Sequence, residues 1–235
     1  MNLLLAFATI TLGSYVQSSI GFGLAIIAAP VLFFIDPHYV PAPITVSAFT
    51  LSIVNAWGHR KSISLRGLKY AVIGRIPGSL AGALLIVWID QELLGLWLGI
   101  TVLLAVAVSL KAVALTPTPG HMAVAGFMSG FMGTSSSIGG PPMALLMQHQ
   151  EARYIRANLS AFFVVSCLMS LSMLAPVGYF GLREINLALP LLPGTLLGYW
   201  LARQTWHLIS PRFLRLSSLG LCSVCGAIAI VSFWF

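Results

Sequence analysis

Two short stretches concentrate the residues capable of chemistry in an otherwise apolar chain: Gly133-Thr134-Ser135-Ser136-Ser137-Ile138-Gly139-Gly140-Pro141-Pro142 and, more faintly, Gln17-Ser18-Ser19-Ile20-Gly21-Phe22-Gly23. Hydroxyls and glycines of this kind interrupt a helix. The half-helix that restarts beyond the break aims free N–H groups and about half a positive charge at whatever lies before it. Ser18, Ser19 and Gly21 at one break, with Ser136, Ser137 and Gly139 at the other, would offer hydroxyl and amide donors to an anion carrying several oxygens. The same serines could also do no more than satisfy backbone groups at a kink. Arg75 strengthens the anion reading, because it stands inside an apolar run two residues before Pro77-Gly78. A charge at mid-helix costs roughly 2.5–3.5 kcal/mol on insertion scales, so it is placed there for a reason. Its planar fork of donors suits a carboxylate, sulfonate or sulfite. Lying only a turn or two beyond Lys69, Arg75 could instead snorkel to the headgroups.

Other chemistries find no support. An intramembrane serine nucleophile at Gly133-Thr134-Ser135 would need a buried base, and the histidines (38, 59, 121, 149 and 207) all fall in loops or at the ends of apolar runs. They make no metal-ligand spacing. All five carboxylates, Asp36, Asp90, Glu92, Glu151 and Glu184, also lie in loops, so a carboxylate proton relay has no carrier. Cys167, Cys222 and Cys225 sit inside apolar runs, where a thiol stays protonated and serves as a small packing residue. The expectation is a protein that is not an enzyme and needs no cofactor.

The elements that must hold these residues are membrane helices. Apolar residues make up 58% of the 235 and charged ones only 7%, against roughly 45–50% and about 25% in soluble domains. The chain is therefore an all-α polytopic membrane protein. Its net charge of +7 comes from short basic clusters between apolar runs, which is an orientation signal and a contact with anionic lipid rather than nucleic acid. Met-Asn-Leu-Leu-Leu has no basic n-region and reads as a retained membrane segment.

Internal similarity sets the expected architecture. Ser18-Ser19-Ile20-Gly21 is echoed by Ser136-Ser137-Ile138-Gly139 at an offset of 118, Ser47-Ala48-Phe49 by Ser160-Ala161-Phe162 at 113, Leu65-Arg66 by Leu182-Arg183 at 117, and Pro77-Gly78-Ser79-Leu80 by Pro193-Gly194-Thr195-Leu196 at 116. The chain thus divides into a first repeat, 1–115, a Pro/Gly linker, 116–120, and a second repeat, 121–235. Basic loops in one half match poor ones in the other: Arg60, Lys61, Arg66 and Lys69 stand against Arg183 alone, while Arg153 and Arg156 stand against a loop with none. The positive-inside rule then inverts the halves. Each is expected to be a broken, re-entrant helical hairpin (1–35 and 121–148) followed by three transmembrane helices, about 39–58, 68–89 and 92–115, then 156–177, 184–205 and 212–235. Every Lys and Arg except Arg75 and Arg183 would face the cytoplasm. Inverted repeats with interrupted helices are the build of secondary transporters. Gly78-x-x-x-Gly82, Gly95-x-x-x-Gly99, Gly126-x-x-x-Gly130 and Gly194-x-x-x-Gly198 would let helix backbones approach closely.

Gly21-Phe22-Gly23 after paired serines, Pro30, Pro77-Gly78-x-x-x-Gly82, the Ser136-to-Pro142 break and Asn158 together resemble the TauE/SafE family of sulfite and organosulfur-anion transporters. The likeness covers essentially the whole chain, although the first break lacks the paired prolines of the second. It implies a small bacterial inner-membrane permease for sulfite, sulfonates or related carboxylates. The partners expected are a small anionic substrate and the lipid bilayer. A coupling ion and assembly into a homo-oligomer are compatible with the sequence but not specified by it. A channel-like anion pore is the alternative reading.

Overall fold

A computed structural model describes residues 2–64, 68–110, 116–205 and 211–231 of the chain. Among them are helices, turns and short connections, with no strand. The helices are α1 (Asn2–Ile20), α2 (Leu24–Ile35), α3 (Ala42–Gly58), α4 (Leu68–Trp88), α5 (Gln91–Leu110), α6 (Pro119–Ser136), α7 (Gly140–Met147), α8 (Ala152–Leu174), α9 (Leu182–Ala188), α10 (Leu192–Thr205) and α11 (Pro211–Val231). Short 3₁₀ turns precede α3 and α10. Among the described residues six segments are long and apolar enough to cross a membrane: Asn2–Ile20, Pro37–Gly58, Leu68–Trp88, Glu92–Leu110, Ala152–Leu174 and Leu182–Thr205. The expected spans run over about 39–58, 68–89, 92–115, 156–177, 184–205 and 212–235, the fifth of them divided in the structure between α9, a 3₁₀ turn and α10. Their ends at 111–115 and 232–235 lie outside the described residues, as do Leu65-Arg66 of the internal echo, Lys111, Trp206, His207 and Trp234.

Both Ser/Gly stretches break the helix and turn the chain back. A straight helix would separate residues 13 and 24 by about 16 Å, yet a β-carbon at Gly13 would lie 2.9 Å from the Leu24 carbonyl oxygen. Gly21 at φ 99° and Gly23 at φ 125° supply backbone that only glycine adopts without strain. At the second break Ser137 ends α6 in the left-handed region at φ 65°. The chain then returns until the Ser129 hydroxyl donates to the Gly139 carbonyl at 2.6 Å. Pro141 and Pro142 start α7, where their missing N–H groups cost least.

The hairpin tips lie at opposite ends of α3. Asn55, near its C-terminus, donates to the Ser18 hydroxyl at 3.2 Å, and Ser137 donates to the carbonyl of Pro41, next to its N-terminus, at 2.7 Å. Helices α1 and α6 therefore run in opposite directions. So do α3 and α8, since Asn158 near the start of α8 accepts from Ser64 N at 2.8 Å, while Ala42 clusters with Leu171 and Leu174 at the far end.

Glycine sets the closest helix contacts. Gly74, Gly78 and Gly82 of α4 face, in the same order, the carbonyls of Ala123, Phe127 and Phe131 of α6, while Gly126 and Gly130 face those of Ala71 and Arg75. A methyl at Gly74, Gly78 or Gly126 would run into the facing oxygen. The pair is thus parallel and packed backbone on backbone, as small-residue stripes permit. The same holds for α1 and α10, where Gly198 meets the Thr11 carbonyl and the Tyr15 hydroxyl lies 2.9 Å from Thr205 Oγ1. Helices α5 and α11 run antiparallel, Gly99 beside Ile230 and Gly226 beside Val102.

Candidate anion site

Arg75 does not snorkel. Its side chain is 3% exposed on the face of α4 that meets α6 and α8. The sequence allows this because Gly133 opposite has no side chain; a β-carbon there would fall 2.9 Å from Arg75 Nη2. Nη1 donates to Ser129 Oγ at 2.7 Å, and that hydroxyl passes its own hydrogen to the Gly139 carbonyl. Nη2 donates to Ser170 Oγ at 3.0 Å, which shares a 2.8 Å hydrogen bond with Thr134 Oγ1. The guanidinium carbon lies 5.6 Å from the Phe162 ring centroid. No carboxylate pairs with it, and Nε has no hydrogen-bond partner among the described residues. A buried cation without a counter-charge is costly.

It faces a cavity of about 40 Å³ between the two breaks. Gln17 and Gly23 line it from the first break, Ser137, Gly139 and Gly140 from the second, and Ser166, Cys167 and Ser170 from α8. The volume suits a few waters or a small ion. Three of the residues expected to bind an anion, Arg75, Ser137 and Gly139, meet on this cavity.

The other four sit elsewhere. Ser136 is fully buried and its hydroxyl donates back to the Met132 carbonyl at 2.7 Å. Ser19 bonds back to the Tyr15 carbonyl at 2.8 Å in the same way. Ser18 and Ser19 line a separate polar pocket with Asn55, His59, Arg153, Arg156 and Arg203. Gly21 packs against Leu159 and the Arg156 backbone. The helix ends contribute less than the sequence suggests. Leu24 N at the start of α2 is taken by Gln17 Oε1 at 3.2 Å, and Pro141 and Pro142 bring no N–H to the start of α7. The polar side chains on the cavity include those of Gln17, Thr45, Arg75, Ser137, Ser166 and Ser170.

Ser129, Ser166 and Ser170 carry roles that the sequence reading missed. The signal available was the pair Ser166-x-x-x-Ser170, which puts two hydroxyls on one face of an apolar helix.

Apolar helices of spanning length, two bent-back hairpins and a buried polar cavity between them define a multi-pass α-helical membrane protein. The family model "Sulfite exporter TauE/SafE" matches residues 5–229, and the chain belongs to that family, whose members transport sulfite and organosulfur anions. No curated protein and no solved structure matches the chain.

Proposed function

We propose that the chain is a secondary transporter of a small oxyanion, sulfite or a sulfonate or carboxylate of like size, working by alternating access in a bacterial inner membrane. The observation that carries the reading is Arg75: a buried, carboxylate-free guanidinium on the lining of a cavity between two helix breaks, with no hydrogen-bond partner for its Nε among the described residues. An arriving anion would supply the missing counter-charge, and the charge-assisted bonds it makes are about twice as strong as neutral ones. Ser137, Ser166 and Ser170 would complete its oxygens' shell.

Two inverted halves, 1–115 and 121–235, are supported by the opposed directions of α1 and α6 and of α3 and α8. The glycine contacts pair α4 with α6 and α1 with α10, so each close pair joins one half to the other. Rocking would carry these cross-half pairs as rigid bodies, with the breaks and Arg75 between them. Arg60, Lys61, Lys69, Arg153, Arg156 and Arg203 collect at the end of the bundle where α3 and α10 finish and α4 and α8 begin. The positive-inside rule puts that end in the cytoplasm.

The test is uptake into proteoliposomes loaded with unlabelled sulfite, sulfoacetate, sulfate or acetate. A transporter gives saturable counterflow with one oxyanion class, and Arg75→Leu loses it. Conductance that never saturates would replace this reading with a pore.

A further inference from the structure

We propose that the pocket at the arginine-rich end is a second oxyanion site, distinct from the Arg75 cavity. It has a volume of about 400 Å³ and is lined by Ser18, Asn55, His59, Arg153, Arg156 and Arg203, with Tyr199 as a wall. No Asp or Glu is among its described lining residues. Glu151 begins the same helix as Arg153 but stands outside the lining. Three guanidiniums around one recess focus a positive potential into it.

Two of the arginines, Arg156 and Arg203, are held by contacts of their own. Arg156 is half-buried and donates from Nη1 to the Ser19 carbonyl at 3.2 Å. Arg203 lies with its guanidinium carbon 5.8 Å from the Tyr199 ring centroid and bonds the Tyr199 hydroxyl at 3.5 Å. Asn55 donates to Ser18 Oγ, so that oxygen acts as an acceptor there and its own hydrogen is left to point elsewhere. His59 Nδ1 sits 2.9 Å from the Asn55 carbonyl. The ring therefore binds back through Nδ1, leaving Nε2 as its second polar atom. Planar forks, an imidazole and a hydroxyl around a recess of this size match a hydrated tetrahedral or pyramidal oxyanion.

The tip of the first hairpin forms part of this wall, because Ser18 and Ser19 belong to it. An anion bound here touches the element whose other residues, Gln17 and Gly23, line the central cavity. On the transporter reading, this pocket collects the anion before it reaches Arg75. The binding itself does not depend on that role. The oxyanion's source is either the free solute or a lipid phosphate, since the pocket lies at the membrane edge.

The experiment is equilibrium dialysis of the purified full-length chain in detergent against radiolabelled sulfate at fixed ionic strength. Arg153 and Arg203 are exposed, so Arg153→Gln/Arg203→Gln leaves the core intact. Sulfate affinity at one site is expected to fall at least tenfold in that variant, with binding at this pocket retained in Arg75→Leu. Unchanged sulfate binding in the double variant overturns the proposal, as does complete loss of binding in Arg75→Leu while its melting temperature is normal. Loss only at the central site, with no counterflow by wild-type protein, removes the transport reading and leaves this pocket standing. Repeating the dialysis in phosphatidylcholine vesicles with and without phosphatidylglycerol separates the sources. Displacement of sulfate by anionic lipid from wild type, but not from the double variant, identifies a lipid phosphate as occupant; no displacement identifies the free anion.

Discussion

Replacing Arg75 by leucine should separate stability from binding, and the structure says by how much. The substitution removes two hydrogen bonds from a charged donor, to Ser129 and Ser170, each worth about 1.5–3 kcal/mol. Neither serine is orphaned, because Ser129 still donates to Gly139 O and Ser170 still has Thr134. Against that loss stands the relief of a buried cation with no counter-ion, about 2.5–3.5 kcal/mol on insertion scales. Exchange of buried charge for apolar volume is often neutral or favourable. Together the two bonds, about 3–6 kcal/mol, exceed that relief by about 1.5 kcal/mol at mid-range, so the anion-free melting temperature should fall only modestly. Anion binding should fall steeply: losing even two charge-assisted bonds of about 1.5–3 kcal/mol each weakens affinity by more than about 100-fold. The assay is thermal melting of purified wild type, Arg75→Leu and Arg75→Lys in detergent, with and without sulfite at constant ionic strength. Wild type at about 100 times its dissociation constant gains roughly 2.7 kcal/mol; the leucine variant should gain nothing and the lysine variant an intermediate amount. A leucine variant that melts far lower without any anion, or that keeps the full sulfite shift, would refute the reasoning.

Three further outcomes follow from the backbone and the surface. Gly78→Leu drives a side chain into the Phe127 carbonyl and should cost about 1–3 kcal/mol or more from overpacking, whereas Gly120→Ala meets nothing within 4 Å and should melt like wild type; equal melting of the two would show that α4 and α6 are not in backbone contact. Gly23→Ala, at φ 125°, should destabilise by about 1–3 kcal/mol through backbone strain, and a wild-type melt would rule out the sharp first break. Burial pushes the Asp36 carboxyl up, but hydrogen bonds from the His38 backbone and ring, with the charges of His38 and Arg183, outweigh it and hold it below the usual carboxylate value. Its contribution is therefore complete above the unfolded value of about 3.9 and disappears as pH falls through the lower folded value. Asp36→Asn should flatten the melting temperature between about pH 5 and 3; an unchanged acid slope would remove Asp36 from that role.

The helix breaks were legible because hydroxyls and glycines inside an apolar run have few uses in a bilayer. The four glycine pairs were legible as packing for a similar reason: their spacing repeats each turn, and in the structure they do meet backbone or ring atoms of a neighbouring helix. Arg75 was visible as an isolated charge, but its depth was not. Whether it reached headgroups or turned inward depended on Gly133, 58 residues further along, leaving room for its guanidinium. Ser129 and Ser170 were hidden by the same distance, since each matters only because another helix brings it to that arginine. Ser18 and Ser19 read as cavity residues by analogy with the second break. The opposed directions of the two hairpins instead set them at the arginine-rich end, beside Asn55 and Arg156.

The glycine face of α4 has a consequence for biogenesis. When residues 68–88 leave the ribosome, the backbone they are shaped to fit, α6, has not yet been made. Until then Gly74, Gly78 and Gly82 offer lipid a bare groove, and Arg75 lacks the Ser129 and Ser170 hydroxyls that will later hold it. Insertion of α4 is therefore a provisional act, completed by a later segment. A nascent chain arrested before α6 would expose an unsheltered charge to the membrane, and a quality-control protease could recognise it there.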